Sequence, residues 1–150
     1  MKVLVFYIGA ERYGLPLAGV SQVLPAAALT ALPLTPAFVA GLLDLHGTPV
    51  PVIDLARMAG TPPSALRFDT RIVVVDYAAA DGSVRALGLL AERVQGVEQV
   101  APGQLHDGGV RAAAFLGQVA TGDGAMLQLV DVEHLLAPEV RALLFPVAQA

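Results

Sequence analysis

Val39-Ala40-Gly41-Leu42-Leu43-Asp44-Leu45-His46-Gly47-Thr48-Pro49-Val50-Pro51-Val52-Ile53-Asp54 decides the fold class. Two apolar runs, Val39–Leu45 and Thr48–Asp54, flank the dipeptide His46-Gly47, the pattern of a β-hairpin closed by a tight turn. Pro49 and Pro51 stand two apart, so their missing N–H groups lie on one side of the second strand. That strand is expected to pair with Val39–Leu45 through its other side. It should therefore be an edge, or border a groove, with further sheet extension blocked.

The same unit recurs outward along the chain. Val3–Ile8 turns through Gly9-Ala10-Glu11-Arg12 into Tyr13–Leu17. Arg71–Tyr77 leads through Asp81-Gly82 into Arg85–Leu90, and Phe115–Ala120 through Gly122-Asp123-Gly124 into Met126–Val130. Hairpins in series predict an all-β barrel or sandwich. Helical signals are brief: Val20–Leu24 before Pro25, Asp54–Ala59 with Asp54 as N-cap and Gly60 as stop, Asp131–Leu136, and Glu139–Leu144. None is long enough for a helical fold. Ile53-Asp54-Leu55 and Val130-Asp131-Val132 each follow a hairpin, a weak echo that favours two similar small barrels. Thr61–Asp69, with Pro62 and Pro63, is the expected connection between them, and Pro102–Gly109 a second exposed loop.

The 150 residues are 55% hydrophobic and 15% charged, too apolar for disorder and sparsely charged for a fully solvated surface. Part of that apolar content is expected to meet partners. The formal charge is −4, and Lys2 is the single lysine beside eight scattered arginines. No basic cluster points to nucleic acid. The absence of cysteine removes disulfides, thiol catalysis and thiolate metal sites, and suits a reducing compartment. Residues 13–43 carry no charge, but Pro16, Pro25, Pro33 and Pro36 interrupt them, so strands and turns are expected rather than a membrane span. With no convincing signal-peptide pattern at Met1–Ala10, a cytoplasmic protein is expected.

Residues that could carry chemistry do not assemble. Ser21 in Gly19-Val20-Ser21-Gln22-Val23 fails the nucleophile-elbow pattern at position 23. His46, His106 and His134 lack metal-binding spacing. Gly122-Asp123-Gly124 lacks the third glycine and following helix of a phosphate cradle, and Gly108-Gly109 reads as loop. Asp54, Asp76, Glu92, Glu98 and Asp131 suggest no acid–base pair, and Asp54 and Asp131 are explained as caps. No catalytic residue, metal or cofactor is expected.

Tyr13-Gly14-Leu15-Pro16-Leu17, Val20-Ser21-Gln22-Val23, Leu32-Pro33-Leu34-Thr35-Pro36-Ala37-Phe38-Val39, Leu45-His46-Gly47 and Pro49-Val50-Pro51-Val52-Ile53-Asp54-Leu55 follow in an order that resembles the CheW family of chemotaxis coupling proteins. The likeness continues through Arg71–Val75, Gly88–Val94 and Met126–Leu136. It implies two small five-stranded SH3-like barrels around a shared core, with approximate subdomains 1–66 and 67–150 and terminal segments open to exchange. It implies an adaptor, recruited to membrane receptor arrays, that couples a CheA-type histidine kinase to the cytoplasmic tip of methyl-accepting chemoreceptors. The inferred receptor groove takes in Val20, Gln22, Val23, His46, Gly47, Thr48, Leu90 and Val94, while the kinase contacts stay unassigned. The family usually has an acidic residue where Gln22 stands and an arginine where His46 stands. A neutral pair here points to altered receptor specificity, or to a divergent scaffold or decoy in a non-flagellar system such as surface or pilus motility. From another class, a small β-barrel that binds a ligand or hydrolyses a substrate would require a deep polar cavity with convergent ionisable groups.

Overall fold

The computed structural model describes residues 1–107, 115–122 and 126–146, so Gly108, Gly109, Asp123 and Gly124 lie outside the described residues. The described elements are β1 (Lys2–Ile8), β2 (Glu11–Pro16), a 3-10 turn (Leu17–Gly19), β3 (Val20–Pro25), β4 (Val39–Leu45), β5 (Thr48–Asp54) and α1 (Leu55–Met58). They continue with β6 (Arg71–Ala78), β7 (Val84–Gln99), a 3-10 turn (Pro102–Gln104), β8 (Leu105–Asp107), β9 (Leu116–Ala120), β10 (Leu127–Val130) and α2 (Pro138–Leu144).

The strands form two ladders that share β7. In one, β3 pairs with β6, β6 with the first half of β7, that half with β5, and β5 with β4. In the other, the second half of β7 pairs with β1, followed by β2, β10, β9 and β8. The N-terminal hairpin thus sits with the late strands, and no single point in the chain divides the ladders.

Burial explains why these strands read as continuous apolar runs rather than alternating ones. Val3 and Val5 of β1 fill the interior of their own ladder with Val100, Ala120, Leu127 and Leu129. Leu4, Phe6 and Ile8, on the opposite face, enter a large shared core. In β6, Ile72 and Val74 point into the other ladder's interior with Leu43, Val50, Val52 and Leu90, whereas Val73, Val75 and Tyr77 join the shared core. Strands β1 and β6 are each covered on both faces, so both of their faces are apolar.

Strand β7 runs to Gln99, well past the expected end at Leu90. It pairs Tyr7 with Glu92 and Val5 with Gly96, so three β7 residues stand against Phe6 alone. Arg93 at φ 47° and Gly96 at φ 119° make this bulge, which bends one strand from ladder to ladder.

Four expectations need correction. Thr61–Asp69 does not connect the barrels: it joins α1 to β6, and β5 and β6 lie in the same ladder. Val20–Leu24 is strand, because β6 supplies a ladder from Val20–Val75 to Pro25–Arg71 that a five-residue helix could not match. Asp131–Leu136 is a turn: the Asp131 carboxylate accepts the His134 N–H at 3.4 Å and Leu135 N–H donates to the Val132 carbonyl at 3.2 Å. Strand β5 is an edge only in its first half. Leu42, opposite Pro51, exchanges both backbone hydrogen bonds with Thr30 at 2.8 and 2.9 Å, so the proline nitrogen faces away from β4 as expected. Once the prolines are passed, Val52, Ile53 and Asp54 pair in parallel with Gly88, Leu89 and Leu90. The helical reading at Asp54 stands: its carboxylate accepts the Ala56 and Arg57 N–H groups, and Gly60 comes next at φ 85°.

Candidate protein-contact surface

Strand β3 has a partner on one side only, β6, which leaves its other edge free among the described residues. Val20 and Val23 lie opposite Val75 and Val73, on the side of the shared core. Val20 is half-buried against that core, but Val23 keeps 43% of its surface exposed. Gln22 is exposed and lies opposite Val74, whose side chain points into the ladder interior. A bulge between Val20 and Gln22 separates the two registers, and Ser21 Oγ there donates to the Val74 carbonyl at 3.2 Å.

His46 and Gly47 form the β4–β5 turn with φ values of 51° and 88°, and Thr48 comes after them; all three are exposed. Two consecutive positive φ values match the right-handed twist of a hairpin, and Asp44 Oδ1 locks the turn by accepting the Gly47 N–H at 2.7 Å. The turn and the start of β3 thus offer both polar and apolar groups to solvent.

The remaining expected contacts divide. Leu90 is 5% exposed and belongs to the interior with Ile72 and Val74, so it has almost no surface to offer. Val94 is half-buried against the shared core, and its N–H donates to the Asp69 carbonyl at 3.0 Å. Sequence reasoning missed Val97, which is 52% exposed on the bent tail of β7. The β-branched residues in Val94-Gln95-Gly96-Val97 were a signal that the strand continues. Arg93 was also missed. Its guanidinium lies 4.9 Å from the Tyr7 ring centroid and donates to the Gly9 carbonyl, so it braces the bulge.

The chemically capable groups are engaged in local structure. Ser64 Oγ donates to Asp54 Oδ1 at 2.6 Å, and Ser83 Oγ to Asp81 Oδ1 at 2.6 Å. His106 Nε2 lies 3.0 Å from Thr121 Oγ1. Asp131, Glu133 and His134 place ligand atoms within 4.8 Å of one another. Within that group His134 Nδ1 stands 2.7 Å from Asp131 Oδ2, a contact that raises the imidazole pKa above its ordinary 6.5, first by the hydrogen bond and then by the charge. The Asp131–Glu133–His134 group lies at the surface, where such a pair ties down a turn. A cleft of about 510 Å³ beside it is lined mainly by apolar side chains, including Phe38, Met58, Phe115 and Leu135, with Glu133, His134 and Arg141 also in its lining.

Among the described residues no helix is long and apolar enough to cross a membrane.

A family model for the CheW-like domain matches residues 2–139. The chain is 29% identical over 153 aligned residues to the chemotaxis protein CheW of Klebsiella aerogenes, covering 99% of this chain and 89% of that one. It is 32% identical over 136 residues to protein FrzA of Myxococcus xanthus, covering 87% and 82%. Among solved structures, the scaffolding protein TtCheW from Thermoanaerobacter tengcongensis superposes with a TM-score of 0.79 at 28% identity, covering 89% of this chain and 90% of that one. The two ladders are accordingly the two SH3-like barrels of that fold. With the match running through both of them, the chain belongs to the CheW family of chemotaxis scaffold and adaptor proteins.

Proposed function

We propose that this chain couples a CheA-type histidine kinase to the cytoplasmic tip of chemoreceptors, in the cytoplasm and at receptor arrays, through protein–protein contacts alone. The observation that carries the reading is the free β3 edge, with Val23 43% exposed in a chain of an adaptor family. An apolar residue on an unpaired edge beside a half-buried Val20 suits a helical hairpin that lays an apolar stripe across it. Gln22 and the His46-Gly47-Thr48 turn add polar contacts that set specificity, and Val94 adds a partly buried apolar flank. The test is binding of the purified chain to the regulatory domain of a cognate kinase and to a receptor-tip fragment, with Val23→Ser as the probe. Binding to both, with receptor affinity lost on Val23→Ser, supports the reading; binding to neither overturns it.

A second reading, a scaffold of a non-flagellar motility pathway, is favoured by the FrzA similarity and by Gln22 and His46 at positions where the family usually carries charge. Isolation of the native partner set separates the two.

A further inference from the structure

The loop that joins α1 to β6 within one ladder is held by hydrogen bonds along most of its length. Asp54 is 5% exposed; its Oδ2 accepts the Ser64 N–H at 2.9 Å and its Oδ1 the Ser64 hydroxyl at 2.6 Å. Glu92 Oε1 accepts the Ala65 N–H at 3.0 Å. Thr70, fully buried, donates its hydroxyl to the Ala65 carbonyl at 2.6 Å and accepts the Arg67 N–H at 3.1 Å. Arg71 Nη1 donates to the Thr70 carbonyl at 3.0 Å and to the Phe68 carbonyl at 2.5 Å.

This scaffolding does not bury the loop's large apolar residues. Leu66 is 68% exposed and Phe68 is 96% exposed. A loop ordered so that its leucine and phenylalanine point outward has already lost the entropy that binding would otherwise cost. Beside them lies a groove of about 540 Å³ whose other wall is Pro25, Ala26, Ala27 and Ala28. Pro25 stands directly across from Arg71 in the β3–β6 ladder, so the wall and the loop meet at one end of the barrel. The charged residues lining the groove are Arg67 and Arg71, both positive, on a chain of formal charge −4.

We infer that the groove between Pro25–Ala28 and Leu66–Arg71 docks an acidic amphipathic segment of a partner protein. Its apolar residues cover Phe68 and Leu66, and its carboxylates meet Arg67 and the free part of the Arg71 guanidinium. Charge selects the occupant: an apolar groove rimmed by arginines favours a segment flanked by Glu or Asp over one flanked by Lys. The groove starts at Pro25, the end of β3, but its lining includes none of Val20, Gln22 and Val23, so Val23→Ser separates the inference from the proposed function.

The test uses the full chain and a designed amphipathic helical peptide with leucines on one face and glutamates flanking them, beside a twin with lysine for every glutamate. Backbone amide shifts on titration should change at 26–28 and 64–71 with the glutamate peptide and not with its twin. Phe68→Ser should abolish the effect, and Arg67→Glu should weaken it at least about fivefold. Val23→Ser should leave it intact. Both Phe68 and Arg67 side chains are exposed, so unfolding is not expected; should Phe68→Ser fail to fold, Leu66→Ser reports on the same wall. Shifts that map elsewhere, or equal response to the lysine twin, overturn the inference. So does Phe68-dependent self-association in sedimentation, which would make a second copy the occupant, or Phe68-dependent binding to anionic lipid vesicles.

Discussion

Gly88 of β7 stands directly across from Val52 of β5, and a Cβ at Gly88 would lie 2.8 Å from Val52 Cγ2. Val52 is completely buried and cannot swing away. The parallel pair that ties β5 to the strand shared by both barrels thus depends on a missing side chain.

Gly88→Ala should therefore destabilise the chain by about 1–3 kcal/mol, the usual cost of overpacking a tight interior. In a chain of this length that is a fall of roughly 3–10 °C in thermal midpoint. Combining it with Val52→Ala, which removes the opposing methyl, should cost less than the sum of the two single changes. Strict additivity in thermal melts would show that the close approach is not the constraint.

Asp54 joins three elements: it ends β5, caps α1 and pins Ser64. Asp54→Ala strands the N–H groups of Ala56 and Ser64 and should cost about 2–4 kcal/mol. Hydrogen exchange should quicken at residues 56–57 and 64–65 more than in β1. Uniform acceleration would mean that the residue supports global stability only, not the order of the loop.

Much of this architecture was legible in the residues, and the misses share a cause. Hairpins such as Val39–Asp54 declare themselves because turn chemistry and apolar runs are local. Pro49 and Pro51 revealed the unpaired side of β5, but not that β7 would join at Val52, since a parallel neighbour leaves no local mark. Val20–Leu24 was mistaken for a helical turn because five residues ending at a proline fit either state, and β6, fifty residues away, decides. The extension of β7 was hidden by Arg93 and Gly96, whose positive φ values make a bend that reads as a strand end. At the contact surface, exposure was the missing quantity. Leu90 and Val94 are both apolar in one strand, yet one is interior and the other partly accessible.

His134 offers a pH signature. Hydrogen bonding to Asp131, then its charge, and more weakly the Glu133 charge, raise its pKa above 6.5. Raised pKa means the folded state favours the protonated imidazole. The contact's contribution is present below about pH 6.5 and is lost as pH rises through the higher folded value. The pair is exposed and salt-screened, so the readout is the titration itself. The His134 ring resonance should titrate above 6.5 in the parent and move down in Asp131→Asn, with the gap shrinking at high salt. Identical midpoints in both proteins would remove the pair from the account.

The β4–β5 turn permits fold and contact to be separated at one position. His46 holds φ 51°, a conformation asparagine adopts more readily than histidine and β-branched residues adopt poorly. His46→Asn should leave stability unchanged or raise it by a few tenths of a kcal/mol, whereas His46→Val should cost about 1 kcal/mol through strain. If the imidazole itself meets the receptor, His46→Asn should weaken binding to a receptor-tip fragment while the melt stays unchanged. The double change Gln22→Glu with His46→Arg should alter that binding again, with a stronger dependence on salt, because it adds an acidic and a guanidinium group to the surface. Receptor binding that is indifferent to all three variants, in proteins that melt like the parent, would take Gln22 and His46 out of the contact and leave the turn a purely structural element.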